Sequence, residues 1–284
     1  MATWSESPAM HIFVEFKLLL ENEGANCQKY FWDGEVGYGK CQLLKWEGFA
    51  MFGISKDALW AFGVHLLTAS GAFFAFLSLV ATAENRFTEA FMWLGVALAV
   101  DGIDGPLARK LEVKKWWPFW SGDMLDCVID YVTFVMIPAF ILYQSGLMGT
   151  YLSFTAAALI VCTSAIYYAD TRMKTVDYGF KGFPVCWNMI VFTLFIVSPS
   201  EILSFVIVVA TAVLTFVPVI FVHPVRVKIL RIPTLVIFGI WAAGGVIAII
   251  YNMDAPSWVD VLILASGAYL FCIGFVLQLL GKLH

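Results

Sequence analysis

Charge is scarce in this chain. Lys, Arg, Asp and Glu supply 13% of 284 residues, while 61% are hydrophobic; a soluble domain carries about a quarter charged residues. The shortage excludes an ordinary water-soluble globule. It leaves a polytopic membrane protein whose helices bury against each other and against lipid. The formal net charge is only −4 and no basic run or nucleic-acid motif occurs, so no nucleic-acid partner is expected. Metal-binding cysteine spacing is missing too. Cys27, Cys41, Cys127, Cys162, Cys186 and Cys272 are scattered with no CxxC or CxxH, so they read as reduced core residues and not as a zinc site or disulfide framework. The N-terminus lacks a basic stretch leading straight into an apolar one with a small-residue cleavage site, so no secretory signal is expected.

Long apolar runs are abundant instead. After a mixed N-terminal extension, residues 1–57, eight runs of spanning or near-spanning length follow within 58–284: 59–82, 88–108, 120–144, 150–169, 183–198, 201–222, 231–251 and 257–280. The fifth is short and is expected to extend at one end. In the extension, Met10 to Leu20 fits a short amphipathic helix on the membrane surface; a poorly ordered extension, or a start codon placed too far upstream, fits equally. Of the 17 lysines and arginines, all but Arg86 fall in the N-terminal segment, the C-terminal tail or the even-numbered loops. The positive-inside rule then predicts an all-α bundle of about eight transmembrane helices with both termini in the cytoplasm.

The few acids inside these runs are concentrated. DGIDGPLAR ends the second run and GDMLDCVID opens the third, with twelve residues between Arg109 and Gly122. Asp101 and Asp104 stand at i and i+3, and Asp126 and Asp130 at i and i+4, so each pair shares one helix side. A short basic loop makes the two helices antiparallel neighbours, which brings four carboxylates together near the cytoplasmic face. Intramembrane carboxylates are costly, and like charges in a low dielectric repel. Only Arg109 is close enough in sequence to offset them. Oxygen ligands without Cys or His suit a hard divalent ion, Mg²⁺ or Mn²⁺, and two ions would form the clamp used in phosphoryl displacement. Buried acids neutralised by protons or salt bridges would not need this spacing, nor the flanking Gly105, Gly122 and Arg109.

These residues match D-x2-D-G-x2-A-R, a spacer, then G-x3-D-x3-D, which resembles the CDP-alcohol phosphotransferase family signature. Asp101, Asp104, Gly105, Ala108, Arg109, Gly122, Asp126 and Asp130 meet every fixed position. The spacer is longer than in many members. With HLLTASGA (65–72), YADTRMKTVDYGFKGFPVCWN (168–188) and FVHPVRVKILR (221–231), it resembles the branch that makes phosphatidylcholine.

The resemblance implies transfer of a phosphatidyl group from CDP-diacylglycerol to choline, giving phosphatidylcholine and CMP, in the bacterial inner membrane with the active site toward the cytoplasm. It implies Asp101, Asp104 and Asp126 as metal ligands. Asp130 would be the base for the attacking hydroxyl and would also touch a second metal. Gly105, Ala108, Arg109 and Gly122 would line the CDP moiety together with Asp101. Thr68 is a further nucleotide contact, although a threonine satisfied within its own helix fits equally. Arg172, Lys174, Lys181 and Arg226 are candidates for the lipid phosphate, with topology alone as the competing reason for them. Tyr131, Tyr167, Tyr168 and Trp187 are candidates for an aromatic cage around choline, although 16% of the chain is aromatic and Tyr and Trp favour interfaces anyway. Members are commonly homodimers, which the apolar outer surface permits, and membrane lipids are expected around it.

The nearest alternative is the same chemistry with serine, glycerol phosphate or inositol as acceptor. A cation- or proton-coupled transporter would place acids near the bilayer midplane between repeats; no second DGIDG pattern occurs.

Overall fold

A computed structural model of the chain describes residues 55–173, 175, 179–224 and 226–283. The N-terminal amphipathic stretch and Lys174 therefore lie outside the described residues. Eight helices carry the fold: α1 (Lys56–Ala83), α2 (Phe87–Lys110), α3 (Gly122–Ser145), α4 (Gly149–Ala169), α5 (Trp187–Val197), α6 (Glu201–Leu214), α7 (Arg231–Ile250) and α8 (Ser257–Leu279). Six of them are long and apolar enough to cross a membrane; α5 and α6 are shorter apolar helices.

Local chemistry sets the starts. Ser55 caps α1 by accepting from the Ala58 amide at 3.2 Å, and Ser121 caps α3 by accepting from Met124 at 3.1 Å. One side of α1 is a stripe of small or compact buried residues: Ala61, Val64, Thr68, Gly71, Ala75 and Ser78. Such a stripe lets neighbouring backbones approach closely, and α1 packs against both α2 and α3. The Ser78 hydroxyl crosses to the Ala90 carbonyl at 2.8 Å and ties the α1–α2 hairpin inside the bundle. Further round, α3 packs on α4 and α5, α4 on α6, and α7 on α8 and α2. The core between these helices is filled by Trp187, Phe183, Ile137, Ile141 and Leu142, all nearly or fully buried. Large apolar side chains such as Phe73, Phe76 and Ile202 point outward, as expected for helices that face lipid.

Three details depart from expectation. The fifth run does not extend: Cys186 precedes α5 and Ser198, in the left-handed region at φ 43°, ends it before Pro199. The sixth run loses its last turns, because α6 stops at Leu214 and the chain then forms a two-residue strand, β2 (Ile220–Phe221), antiparallel to β1 (Phe180–Lys181). Gly274 of α8 makes room for β2, since a Cβ there would lie 2.1 Å from the Ile220 carbonyl oxygen. Among the described residues no disulfide is present, and Cys162 and Cys272 are exposed on α4 and α8 instead of lying in the core. Their placement on an outer face of an apolar helix costs nothing in lipid, which is why the apolar surroundings misplaced them.

Candidate active site

The last turns of α2 and the first turns of α3 build one site. The Asp101, Asp126 and Asp130 carboxylates each offer an oxygen within 4.8 Å of the others, and all three residues are half-buried. Asp101 and Asp126 are within hydrogen-bonding reach of each other, and Asp104 crowds Asp101 with further negative charge. Asp104 is only 5% exposed and stands outside the close trio. A donor set made only of carboxylate oxygens at this spacing fits a hard divalent cation, which would remove the repulsion.

A π-helical stretch, Tyr131–Met136, begins immediately after Asp130 within α3. The Thr133 hydroxyl there donates to the Ile129 carbonyl at 3.0 Å. Short π segments concentrate at functional sites, because one extra residue per turn re-aims the side chains before it.

Helix α1 closes a second side. A Cβ on Gly122 would lie 3.3 Å from the His65 imidazole, and one on Gly71 would lie 3.0 Å from the Ile129 side chain. These two contacts make α1 and α3 parallel and put Thr68, between them, level with Asp126. The Thr68 hydroxyl donates to its own helix at the Val64 carbonyl, 3.1 Å away. His65 is 5% exposed, and its Nε2 has no hydrogen-bond partner among the described residues. Sequence reasoning passed over His65; its position three residues before Thr68, on the same face, was the available signal. Arg109 is exposed, and a Cβ on Gly105 would meet its Nη1 at 3.5 Å, so the guanidinium folds back over that glycine. Ala108 is half-buried and packs against the cluster of Ala61, Val64 and Val113.

The four aromatic candidates separate. Tyr168 lies within electrostatic reach of Asp130, Asp101 and Asp126, and its ring meets that of Tyr131 edge-on at 5.7 Å. The Tyr131 hydroxyl donates to the Val161 carbonyl at 3.0 Å. Tyr167, one residue earlier on α4, faces a different cavity of about 390 Å³. Trp187 is fully buried, donates from Nε1 to the Ser164 hydroxyl at 2.8 Å and packs on Phe183.

The basic candidates separate in the same way. Arg226 is close enough for its charge to act on Asp101. Arg172 and Lys181 line the Tyr167 cavity instead. Arg172 is clamped by both carboxylate oxygens of Asp170 at 2.9 Å, and these hydrogen bonds hold the Asp170 carboxyl down at about 2.

Residues 64–222 match the model of the CDP-alcohol phosphatidyltransferase family, a span that runs from within α1 through β2 and holds the whole acid cluster. The chain is similar to the phosphatidylcholine synthase of Brucella melitensis, 61% identical over 78% of this chain and 81% of that one. It is likewise similar to the phosphatidylcholine synthases of Rhizobium meliloti, 57% identical over 78% of this chain and 92% of that one, and of Pseudomonas aeruginosa, 34% identical over the same shares.

Proposed function

Because the chain belongs to the CDP-alcohol phosphatidyltransferase family, we propose that it transfers the phosphatidyl group of CDP-diacylglycerol to choline, releasing CMP. The observation that carries this reading is the convergence of Asp101, Asp126 and Asp130, each offering a carboxylate oxygen within 4.8 Å of the others. Relatives at 61% and 57% identity named for phosphatidylcholine favour choline as the acceptor.

The chemistry follows from the residues. Asp101, Asp104, Asp126 and Asp130 would hold one or two Mg²⁺ or Mn²⁺ ions, which when bound supply Lewis-acid neutralisation of the donor's diphosphate. Arg109, folded over Gly105, offers a planar fork to the same phosphates, and Arg226 adds a second positive charge near Asp101. Ala108, Gly105 and the Gly122 backbone would line the CDP moiety, with Thr68 and Asp101 beside it; the space that a Gly122 Cβ would fill is taken by His65. Asp130 takes the proton of the choline hydroxyl. The choline oxygen then bonds to the phosphatidyl phosphorus, the bond from that phosphorus to the CMP oxygen breaks, and CMP leaves as the anion. Tyr168 and Tyr131 are the aromatic pair next to Asp130, so we assign the trimethylammonium group to them. Tyr167, which faces the separate cavity, and Trp187, buried in the core, are assigned no contact with it.

We read α5 and α6 as crossing segments that complete a bundle of eight, with both chain ends and the acids on the cytoplasmic side of a bacterial inner membrane. The distribution of Lys and Arg, with Arg86 alone on the far side, supports this orientation. A homodimer in that membrane would cover part of the apolar outer surface.

A second reading, a phosphorylated acceptor alcohol, draws on the cavity lined by Arg172 and Lys181. Asp170 engages Arg172 there through Nε and Nη2 and offsets its charge, which disfavours an anionic acceptor at that cavity. The test is expression in a bacterium that makes no phosphatidylcholine. Phosphatidylcholine in the lipid extract only when choline is added supports the proposal; its failure to appear with choline, or a different new lipid, overturns it.

A further inference from the structure

We propose that the loop joining α2 to α3 is a docking surface for an anionic phospholipid bilayer, with Phe119 and Trp120 inserted into the head-group layer beside the active site. The loop is pinned and not floppy. Val113 is buried with Ala61 and Val64 of α1. The Trp117 Nε1 donates to the Ala58 carbonyl at 2.8 Å, and the Trp117 ring packs on Phe62 at 5.1 Å. Pro118 then fixes the backbone, and the chain turns outward.

What it turns outward is apolar. Phe119 is 81% exposed; Trp120, one side of which meets Phe62 and His65, is 54% exposed, and on the first turns of α1 Leu59 is 64% and Trp60 68% exposed. The Trp117 bond to Ala58 ties the loop to the first turn of α1, so these four exposed side chains lie at the same end of the helices. Their shape, an apolar body at the end of a spanning helix, is that of the aromatic side chains that settle among head groups.

Charge supplies the preference. Among the described residues of the α1 start and of the α2–α3 connection, Lys56, Arg109, Lys110, Lys114 and Lys115 stand against Asp57, Glu112 and Asp123. Lys114 pairs with Asp123 at 2.7 Å and Lys115 with Glu112 at 2.9 Å, both pairs well exposed. Cations exceed anions, so this end of the helices is complementary to a negatively charged leaflet. The consequence is kinetic. The donor is itself an anionic lipid, and the element between Arg109 and Gly122 would hold the mouth of the site in the layer where that lipid resides.

The test uses the full chain with the photoreactive analogue benzoylphenylalanine at position 119, in vesicles of equal phosphatidylcholine and phosphatidylglycerol. The same probe at Phe73, an exposed mid-span position of α1, is the reference. Illumination should give lipid adducts at position 119, with phosphatidylglycerol enriched about twofold or more over the reference. Combining Lys114→Gln with Lys115→Gln should remove the enrichment and keep the adducts. Adducts to the first 54 residues of the chain, adducts to a second copy, no lipid adducts, or phosphatidylglycerol at the reference level would each overturn the proposal.

Discussion

Gly122 and His65 touch across the α1–α3 interface so closely that a methyl group on the glycine would lie 3.3 Å from the imidazole. His65 has little room to retreat, because Phe62 and Trp120 stand against its other sides. Gly122→Ala should therefore displace the ring or tilt α3, shifting Asp126, which lies one turn further along the helix, by a few tenths of an ångström. The better helix propensity of alanine offsets part of the cost, about 0.5–1 kcal/mol. Activity should fall by more than about tenfold, as misplacement of reacting groups usually does, while the melting temperature changes by only a few degrees. Steady-state rates and a thermal melt on the same preparation check this.

Asp130→Asn removes the proposed base and keeps the size of the side chain. Turnover should drop by at least about a hundredfold, within the range for losing a general base. Binding of CMP, measured by calorimetry in detergent, should stay within a few fold of wild type. Full activity in the variant would remove Asp130 from the proton-transfer step.

Chelation should stop the reaction, and either Mn²⁺ or Mg²⁺ should restore it. Asp101→Asn takes away one carboxylate of the close trio. It should raise the metal concentration needed for half-maximal activity by about tenfold or more, an order set by losing one charged ligand. Activity that survives exhaustive chelation would contradict the metal reading.

Tyr168 and Trp187 should behave differently. Tyr168→Ala removes a ring next to Asp130 and should raise the choline KM by about fivefold or more, with a smaller effect on the donor. Trp187→Phe strands the Ser164 hydroxyl in the core, since that hydroxyl accepts the indole hydrogen bond at 2.8 Å. It should cost about 1–3 kcal/mol of stability and leave the choline KM nearly unchanged. Choline titrations and thermal melts on both variants separate a binding role from a packing one.

Much of this was legible in the chain. Apolar runs gave six long helices nearly to the residue, because a bilayer demands continuous apolar length. They overshot at α6, where Pro218 and the β1–β2 pair take over before the hydrophobicity ends. The pairs Asp101/Asp104 and Asp126/Asp130 were visible because helical spacing alone puts each pair on one side. Tyr167 and Tyr168 show what spacing does not supply. Both lie at the same depth, yet rotation by one residue turns one toward the acids and the other toward a separate cavity. The approach of Arg226 to Asp101, across a long sequence separation, depends on how the chain after β2 folds back. No local pattern encodes the π-helical stretch after Asp130, whose extra residue is settled by packing against α1, α4 and α5.

The most direct test of the central claim is CMP release by the purified protein in vesicles containing CDP-diacylglycerol. CMP should appear only when choline and a divalent cation are both present, with one phosphatidylcholine formed for each CMP. CMP formed with serine, inositol or glycerol phosphate but not with choline would contradict the account, as would choline-dependent release that needs no metal.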